Sequence, residues 1–266
     1  MPSTVTVVTW LKSDDRGAVR WLTIDRPERK NAIPFDGWQE LGAAFESFES
    51  SEQRVLVVTG AGGEFCAGAD LDPSRLDRLQ AVEDRHARMK VVGRSAMALH
   101  RLTKPTIAAV DGVAVGAGLN LALGCDVVVA TERARFAEIF VRRGLTVDFG
   151  GSWLLPRIVG LQRAKELALS GRIVGAEEAL RIGLVIEVVA VAALHDRVAE
   201  IAEGFLAGAP LAQMFVKQTI NAAFQISLAD ALSWEGEAQS VALGTEDATE
   251  GVLAFLDKRD PVWKGR

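Results

Sequence analysis

Thr59-Gly-Ala-Gly-Gly-Glu-Phe-Cys-Ala-Gly-Ala-Asp70 and Asp111-Gly-Val-Ala-Val-Gly-Ala-Gly-Leu-Asn120 decide how this chain is read. Each follows a short apolar run, Val55-Leu-Val-Val58 in the first case and Thr106-Ile-Ala-Ala-Val110 in the second. Runs of this kind suit a strand covered on both faces. The glycines that follow supply a tight turn. Each stretch therefore reads as a strand, a turn and the start of a helix. The first N–H groups of a helix have no partner within it, and the helix dipole favours negative charge there. Two such turns aimed at one point would make a two-donor hole for an oxyanion.

The rest of the sequence narrows the function classes. A chain of 266 residues can bury a large core, as one large domain or two smaller ones. With 49% hydrophobic and 24% charged residues it has the composition of a globular protein. The net charge of −5, with no basic cluster, argues against a nucleic-acid surface. Two cysteines, Cys66 and Cys125, are too few for a disulfide scaffold and fit a reducing, cytoplasmic setting. The N-terminal Met1–Trp10 lacks the pattern of a signal peptide, and no apolar run approaches ~18 residues.

Strand and helix patterns alternate through the first half. Val5–Trp10 and Val19–Asp25 flank the turn-prone Ser13-Asp-Asp-Arg-Gly17, which predicts a hairpin. Apolar residues at 35, 38, 41, 45 and 48 have helical spacing. Asp72-Pro73 reads as a cap followed by proline at the first helical position, opening an amphipathic stretch from Leu76 to Leu99 that ends at Lys104-Pro105. Ile107–Val110 and Val127–Ala130 read as strands, with a short helix over Ala117–Leu123 between them. Repeated units of this kind imply an α/β fold with a largely parallel sheet, whose ligand lies at the carboxyl ends of the strands. Beyond Gly151 the patterns are mostly helical, over 162–170, 176–181, 194–207, 211–224 and 227–243.

At this point the chain resembles the crotonase, or enoyl-CoA hydratase/isomerase, superfamily over nearly its full length. The resemblance is carried by five segments in order. They are Leu22-Thr-Ile-Asp-Arg-Pro-Glu-Arg-Lys-Asn-Ala32, the glycine-rich segments 57–71 and 104–118, Gly144-Leu-Thr-Val-Asp-Phe-Gly-Gly-Ser-Trp-Leu-Leu-Pro-Arg157, and Phe255-Leu-Asp-Lys-Arg259. It implies a crotonase-like (ClpP/crotonase) spiral of ββα units. Residues 1–200 would form the core with the CoA-thioester site, and 201–266 a C-terminal helical trimerisation region. It also implies an acyl-CoA thioester held by the N–H groups of Ala69 and Ala117, with Lys30, Ala32, Ala67, Gly68, Asp70, Leu71 and Gly116 along the ligand path. Phe255 and Lys258 would reach the CoA of a neighbouring subunit, in a homotrimer or dimer of trimers. No metal and no separate cofactor are implied, because coenzyme A belongs to the substrate.

The pattern departs from the family's hydratases, which set two glutamates around a water. Asn120 and Phe140 stand at those two positions. Asn120 is left as a pocket residue or an ordinary helix side chain. Glu138, close by, is expected on the opposite face of its segment. Asp148 stands where double-bond isomerases such as that of the phenylacetate pathway carry an aspartate, although Val147 replaces the proline before it. A single carboxylate suits isomerisation, which moves a proton between two carbons and activates no water. Enclosure by Phe140, Phe149 and Trp153 would raise its pKa. Read without the resemblance, Asp148 is a turn residue or helix cap.

Other residues keep two readings. Asp70 is a ligand contact or the cap of the next turn, and Lys30 is a phosphate partner or one charge of a solvated loop. Cys66 is a packing residue, and the scattered His86, His100 and His195 form no metal spacing. The functions left open are an isomerase using Asp148, a hydratase of atypical site, and an acyl-CoA-binding protein without turnover. A nicotinamide site is disfavoured because Phe65 stands where its fingerprint needs glycine, and no Gly-Lys-Ser/Thr follows either turn to make a P-loop.

Overall fold

The structure, a computed structural model, describes residues 10–71 and 81–266. The expected Asp72-Pro73 cap and the start of the stretch after it lie outside the described residues. The chain divides into two compact units, one of residues up to 102 together with 106–199, the other of 103–105 with 200–266.

The first unit is built on a six-stranded sheet. Its strands, in spatial order, are β1 (Leu11–Arg16), β2 (Val19–Ile24), β3 (Val55–Gly60), β4 (Thr106–Val110), β6 (Val127–Thr131) and β9 (Glu187–Val189). Only β1 runs antiparallel to its neighbour; the other pairings are parallel, with Trp21 beside Val57 and Val57 beside Ile107. The apolar runs at 55–58 and 106–110 are buried throughout, as their composition requires. The expected Val5–Trp10 strand lies, except for Trp10, outside the described residues. The described β1 occupies Leu11–Arg16, through the polar residues read as a turn, and the chain reverses at Gly17, whose φ is +60°. An edge strand exposed on its outer side accommodates charged residues that an inner strand would exclude.

A second ladder lies at the ends of these strands. β5 (Val113–Val115) pairs with β7 (Arg135–Ala137), and β7 with β8 (Val174–Gly175). Single parallel bridges extend it through Cys66 opposite Ala114 and Ala69 opposite Ile33. The helices α3 (Ala117–Leu123) and α4 (Gly151–Val159) follow strand pairs β4–β5 and β6–β7. This repetition is the spiral of ββα units. Helix α1 (Gly37–Glu49) turns Trp38, Leu41, Phe45 and Phe48 into the core, where each is almost wholly buried. It lies close to α2 (Val82–His100), for a side chain on Gly42 would stand 3.3 Å from Ser95 Cα.

After α5 (Leu161–Ser170), α6 (Ala176–Arg181) and α7 (Leu194–Leu206), the second unit is helical, with α8 (Pro210–Ala222), α9 (Leu228–Leu243) and α10 (Glu246–Asp257). Ser227 and Asp230 form a capping box at the start of α9, and Thr245 caps α10. The polar tail folds back, with Trp263 Nε1 donating to Ala207 O at 2.8 Å and Asp247 accepting from the Lys264 and Gly265 N–H groups. Among the described residues no helix is long and apolar enough to cross a membrane.

Candidate active site

The two glycine turns are neighbours in the first unit. Cys66 N–H donates to Val113 O at 2.9 Å, and Val115 N–H donates to Cys66 O at 3.1 Å. Glu64 fastens the same junction, accepting from Val113 N–H at 2.7 Å through one oxygen and from Lys30 Nζ at 3.0 Å through the other. Gly68 has φ +86°, and a side chain there would stand 2.9 Å from Val115 O and 3.4 Å from Ala117 N. A side chain on Gly118 would overlap the Cys66 carbonyl. Glycine at both places is thus a condition of the turns' close approach.

Donors and acceptors in this region are nearly all used. Ile33 N–H donates to Gly68 O, Asp70 N–H to Ile33 O, Ala67 N–H to Lys30 O and Gly116 N–H to Ala137 O. Among the described residues, the N–H groups of Ala69 and, in the first turn of α3, of Ala117, Gly118 and Leu119 have no acceptor. Ala117 begins α3, where such donors are left over by the helix itself. Unused donors from both turns, Ala69 and Ala117 among them, therefore flank the point where Gly68 meets Ala117. The Phe140 ring lies against Gly116 next to it, for a side chain on Gly116 would stand 3.5 Å from Phe140 Cζ.

Beyond the turns lies a buried polar cluster. Asn120, on α3, is fully buried and its Nδ2 donates to Asp148 O at 2.9 Å. The carboxamide packs against Gly151, where a Cβ would overlap it. Asp148 is half-buried, and its Oδ1 is enclosed without a hydrogen-bond partner. Burial pushes its carboxyl up to about 6, opposed by the positive charge of Arg88. Phe149, which follows, is buried with φ +48° and its ring 5.5 Å from that of Trp38. Trp153 is only half-buried and packs with His100 and Arg157.

Glu138 belongs to this cluster, which corrects the sequence reading. Its side chain is 1% exposed, and burial, with Asp148 nearby, pushes it up to about 8. The Asn120 carboxamide lies beside it and acts in the opposite direction. β7 ends at Ala137, and Glu138 has φ −82° and ψ 68° at the start of a 3-10 turn over Ile139–Arg143. Strand alternation therefore stops one residue before Glu138.

The family described as Enoyl-CoA hydratase/isomerase matches residues 14–266. The chain belongs to the enoyl-CoA hydratase/isomerase family. It is 37% identical to a short-chain-enoyl-CoA hydratase of Clostridium acetobutylicum, over 92% of this chain and 94% of that protein. It is 38% identical to the 1,2-epoxyphenylacetyl-CoA isomerase of Escherichia coli, over 93% and 95%. Among solved structures, an enoyl-CoA hydratase from Bacillus anthracis superposes with a TM-score of 0.91 at 32% identity, covering 97% of this chain and 100% of that one.

Within this family fold, the remaining residues named from sequence sort by partner. Asp70 is paired, with Arg26 and Arg29 donating to its two oxygens at 3.0 and 2.6 Å, while the turn it was expected to cap lies outside the described residues. Burial alone would raise its pKa, but these two guanidiniums hold it below the usual carboxylate range. Lys30 and Asn31 both have positive φ, which turns the 26–32 loop back on itself. Lys30 is paired with Glu64 rather than free. Asn31, which sequence reasoning passed over, is fully buried. Its Nδ2 donates to Ala61 O and Glu64 O, and its Oδ1 accepts from Arg26 N–H. Ala32 is buried, and Leu71 is exposed. Burial pushes the Cys66 thiol up to about 12, so it is a packing residue and no nucleophile. Phe255 and Lys258 belong to the second unit, on α10 and at its end, and both face solvent.

Proposed function

We propose that the chain is an enoyl-CoA isomerase in which Asp148 moves a proton between carbons of the acyl chain. The unused N–H groups of Ala69 and Ala117 hold the thioester oxygen. A proton leaves C2 of a 3-enoyl thioester for the Asp148 carboxylate, charge accumulates on the thioester oxygen, and the proton is delivered to C4. The product is the 2-enoyl thioester, with no water consumed. Each fixed donor contributes roughly 3 kcal/mol to such an intermediate. A carboxyl near about 6 is ionised at neutral pH, yet basic enough to accept a carbon-bound proton and return it. The observation that carries the proposal is the unpartnered Asp148 oxygen in a site whose second glutamate position is filled by Phe140. The likeness to an epoxyphenylacetyl-CoA isomerase is consistent with it.

In this reading coenzyme A enters with the substrate and no other cofactor takes part. Lys30, Ala32, Ala67, Gly68, Asp70, Leu71, Gly116 and Phe140 line the ligand path. The helices of the second unit leave Phe224, Leu228, Leu243 and Phe255 between 67% and 82% exposed. Such apolar exposure suits burial between copies of the chain, so a homotrimer or dimer of trimers is proposed, with Phe255 and Lys258 reaching a neighbour's CoA.

A hydratase is the second reading, favoured by the Glu138 carboxyl beside Asp148. Assays of 3-enoyl-CoA isomerisation and crotonyl-CoA hydration on one preparation separate the two. Asp148→Asn is expected to lower isomerisation at least a thousandfold while CoA-ester binding persists. Unchanged turnover in that variant would remove Asp148 from the reaction. Tight binding with no product from any enoyl-CoA would leave the acyl-CoA-binding reading.

A further inference from the structure

Asp148 is held through its carbonyl, while its carboxyl Oδ1 is enclosed without a hydrogen-bond partner. The carbonyl accepts twice, from Gly151 N–H at 3.0 Å and from Asn120 Nδ2 at 2.9 Å. The first of these bonds closes a four-residue turn over 148–151. Its two central residues, Phe149 and Gly150, have φ +48° and +84°. Positive φ at both is the pattern of a type I′ turn, which glycine, asparagine and aspartate dominate. Gly150 fits that pattern. Phe149 does not, because a bulky side chain is strained there. Among the described residues, the other non-glycine residues with positive φ are Lys30, Asn31 and Lys258, and none of them is aromatic.

The core holds Phe149 in this conformation. Its ring is buried against Trp38 of α1, with centroids 5.5 Å apart and planes tilted by 43°. Burial and ring contact offset the strain. A turn whose sole task was to reverse the chain ahead of α4 would be served without strain by glycine or asparagine. Phenylalanine adds one thing, an attachment of the turn to the core. The peptide between Asp148 and Phe149 is then held on both sides, its oxygen by Asn120 and Gly151 and the next side chain by Trp38. Fixing that peptide fixes the direction of the Asp148 Cα–Cβ bond and leaves only rotation within the side chain. Glycine at 151 belongs to the same arrangement, because a Cβ there would overlap the Asn120 carboxamide and push it off the Asp148 carbonyl.

We propose that Phe149 is a positioning residue whose ring, seated on Trp38, keeps the strained turn in place and so aims the Asp148 carboxyl at the acyl chain. This rests on the proposed role of Asp148 as proton carrier. Phe149 acts through Asp148 and not on the substrate itself. Misplacing a reacting group by about 1 Å can cost on the order of a hundredfold in rate, so a loosened turn is felt in turnover before it is felt in binding.

The test compares wild type, Phe149→Gly and Trp38→Leu in kcat, KM and denaturant unfolding. The titration of Asp148 is followed alongside by the signal of 13C-labelled aspartate, assigned with Asp148→Asn. Glycine accepts the positive φ without strain, so in Phe149→Gly the turn can still form, but nothing ties it to Trp38. Its kcat should fall at least about tenfold while KM stays within about threefold. Trp38→Leu leaves residue 149 untouched and removes the ring on which it rests. Its kcat should fall at least about threefold at similar KM, and it decides the matter if Phe149→Gly does not fold. A residue that served packing alone would lower the unfolding midpoint and leave the kcat of the folded enzyme unchanged.

Asp148 itself gives a readout independent of turnover. Enclosure raises its carboxyl to about 6, and a loosened turn admits water, so its titration should move down toward the ordinary carboxylate range in both variants. Arg88 and Glu138, the charged groups that act on Asp148 among the described residues, are the same in all of them. Wild-type kcat in folded Phe149→Gly or Trp38→Leu enzyme, or an Asp148 titration that does not move, overturns the inference. If Asp148→Asn still isomerises a 3-enoyl-CoA, the proposed function fails, while the titration still decides whether Phe149 holds Asp148.

Discussion

Charged residues occur in two settings in the first unit, and the contrast separates scaffold from chemistry. Around the outer loop every charge named has an opposite partner: Asp70 with Arg26 and Arg29, Lys30 with Glu64, Asp111 with Arg133. These groups hold backbone in place. Asp70 lies below the usual carboxylate range, and so does Asp111, where the Arg133 and Thr131 hydrogen bonds outweigh burial. Around Asn120 the acids have no cation in contact among the described residues, though Arg88 acts on Asp148 by charge, and both stand above that range. A paired carboxylate is a poor base because its charge is already satisfied. An unpaired, enclosed one can accept a proton near neutral pH.

Substitutions can break this contrast. The largest effect after loss of the Asp148 carboxyl itself is expected from Gly118→Ala. Its methyl group would overlap the Cys66 carbonyl, which is main chain and cannot rotate away. We expect a loss of about 1–3 kcal/mol in denaturant unfolding, with turnover falling further than stability because the Ala117 donor is displaced. Wild-type turnover in a folded Gly118→Ala protein would show that the two turns need not meet so closely. Asn120→Ala should be intermediate. It frees the Asp148 carbonyl, so kcat should fall about tenfold to a hundredfold with KM little changed. The smallest effect is expected of Lys30→Ala. Its pair with Glu64 is solvent-exposed on the lysine side, so unfolding should shift by under about 1 kcal/mol. If Lys30 serves the CoA phosphates, the change appears in KM and fades as ionic strength rises. A fall in kcat at constant KM would move Lys30 from the outer loop's group to that of the enclosed acids.

Most of the architecture was legible because glycine and apolar runs have few structural outlets. Val55–Val58 and Thr106–Val110 could only be covered strands, and the glycines after them could only be close turns. The ordered motifs named the fold and pointed to Asn120, Phe140 and Asp148. Glu138 was not legible. It was expected on the opposite face of its segment, but the chain leaves strand geometry at Glu138 itself. A change of φ and ψ at one residue moves a side chain from one face to another, and composition carries no sign of it. The turn at 13–17 was misread for a related reason, since exposure at a sheet edge permits Ser13-Asp-Asp-Arg16 in a strand. Asp70 showed no sign of its two arginines because they lie 44 and 41 residues away in sequence.

The setting of Ala69 and Ala117, the first bridged to Ile33 and the second just after the strand whose Ala114 bridges Cys66, has a consequence for how such a protein can change. Their N–H groups are peptide atoms, present whatever side chain stands there, so few point mutations can delete them. Asn120, Glu138, Phe140 and Asp148 can be exchanged one at a time on a frame that stays put. If the two N–H groups hold a thioester oxygen as proposed, the reaction can be rewritten by swapping single side chains while the means of stabilising an anion is inherited intact.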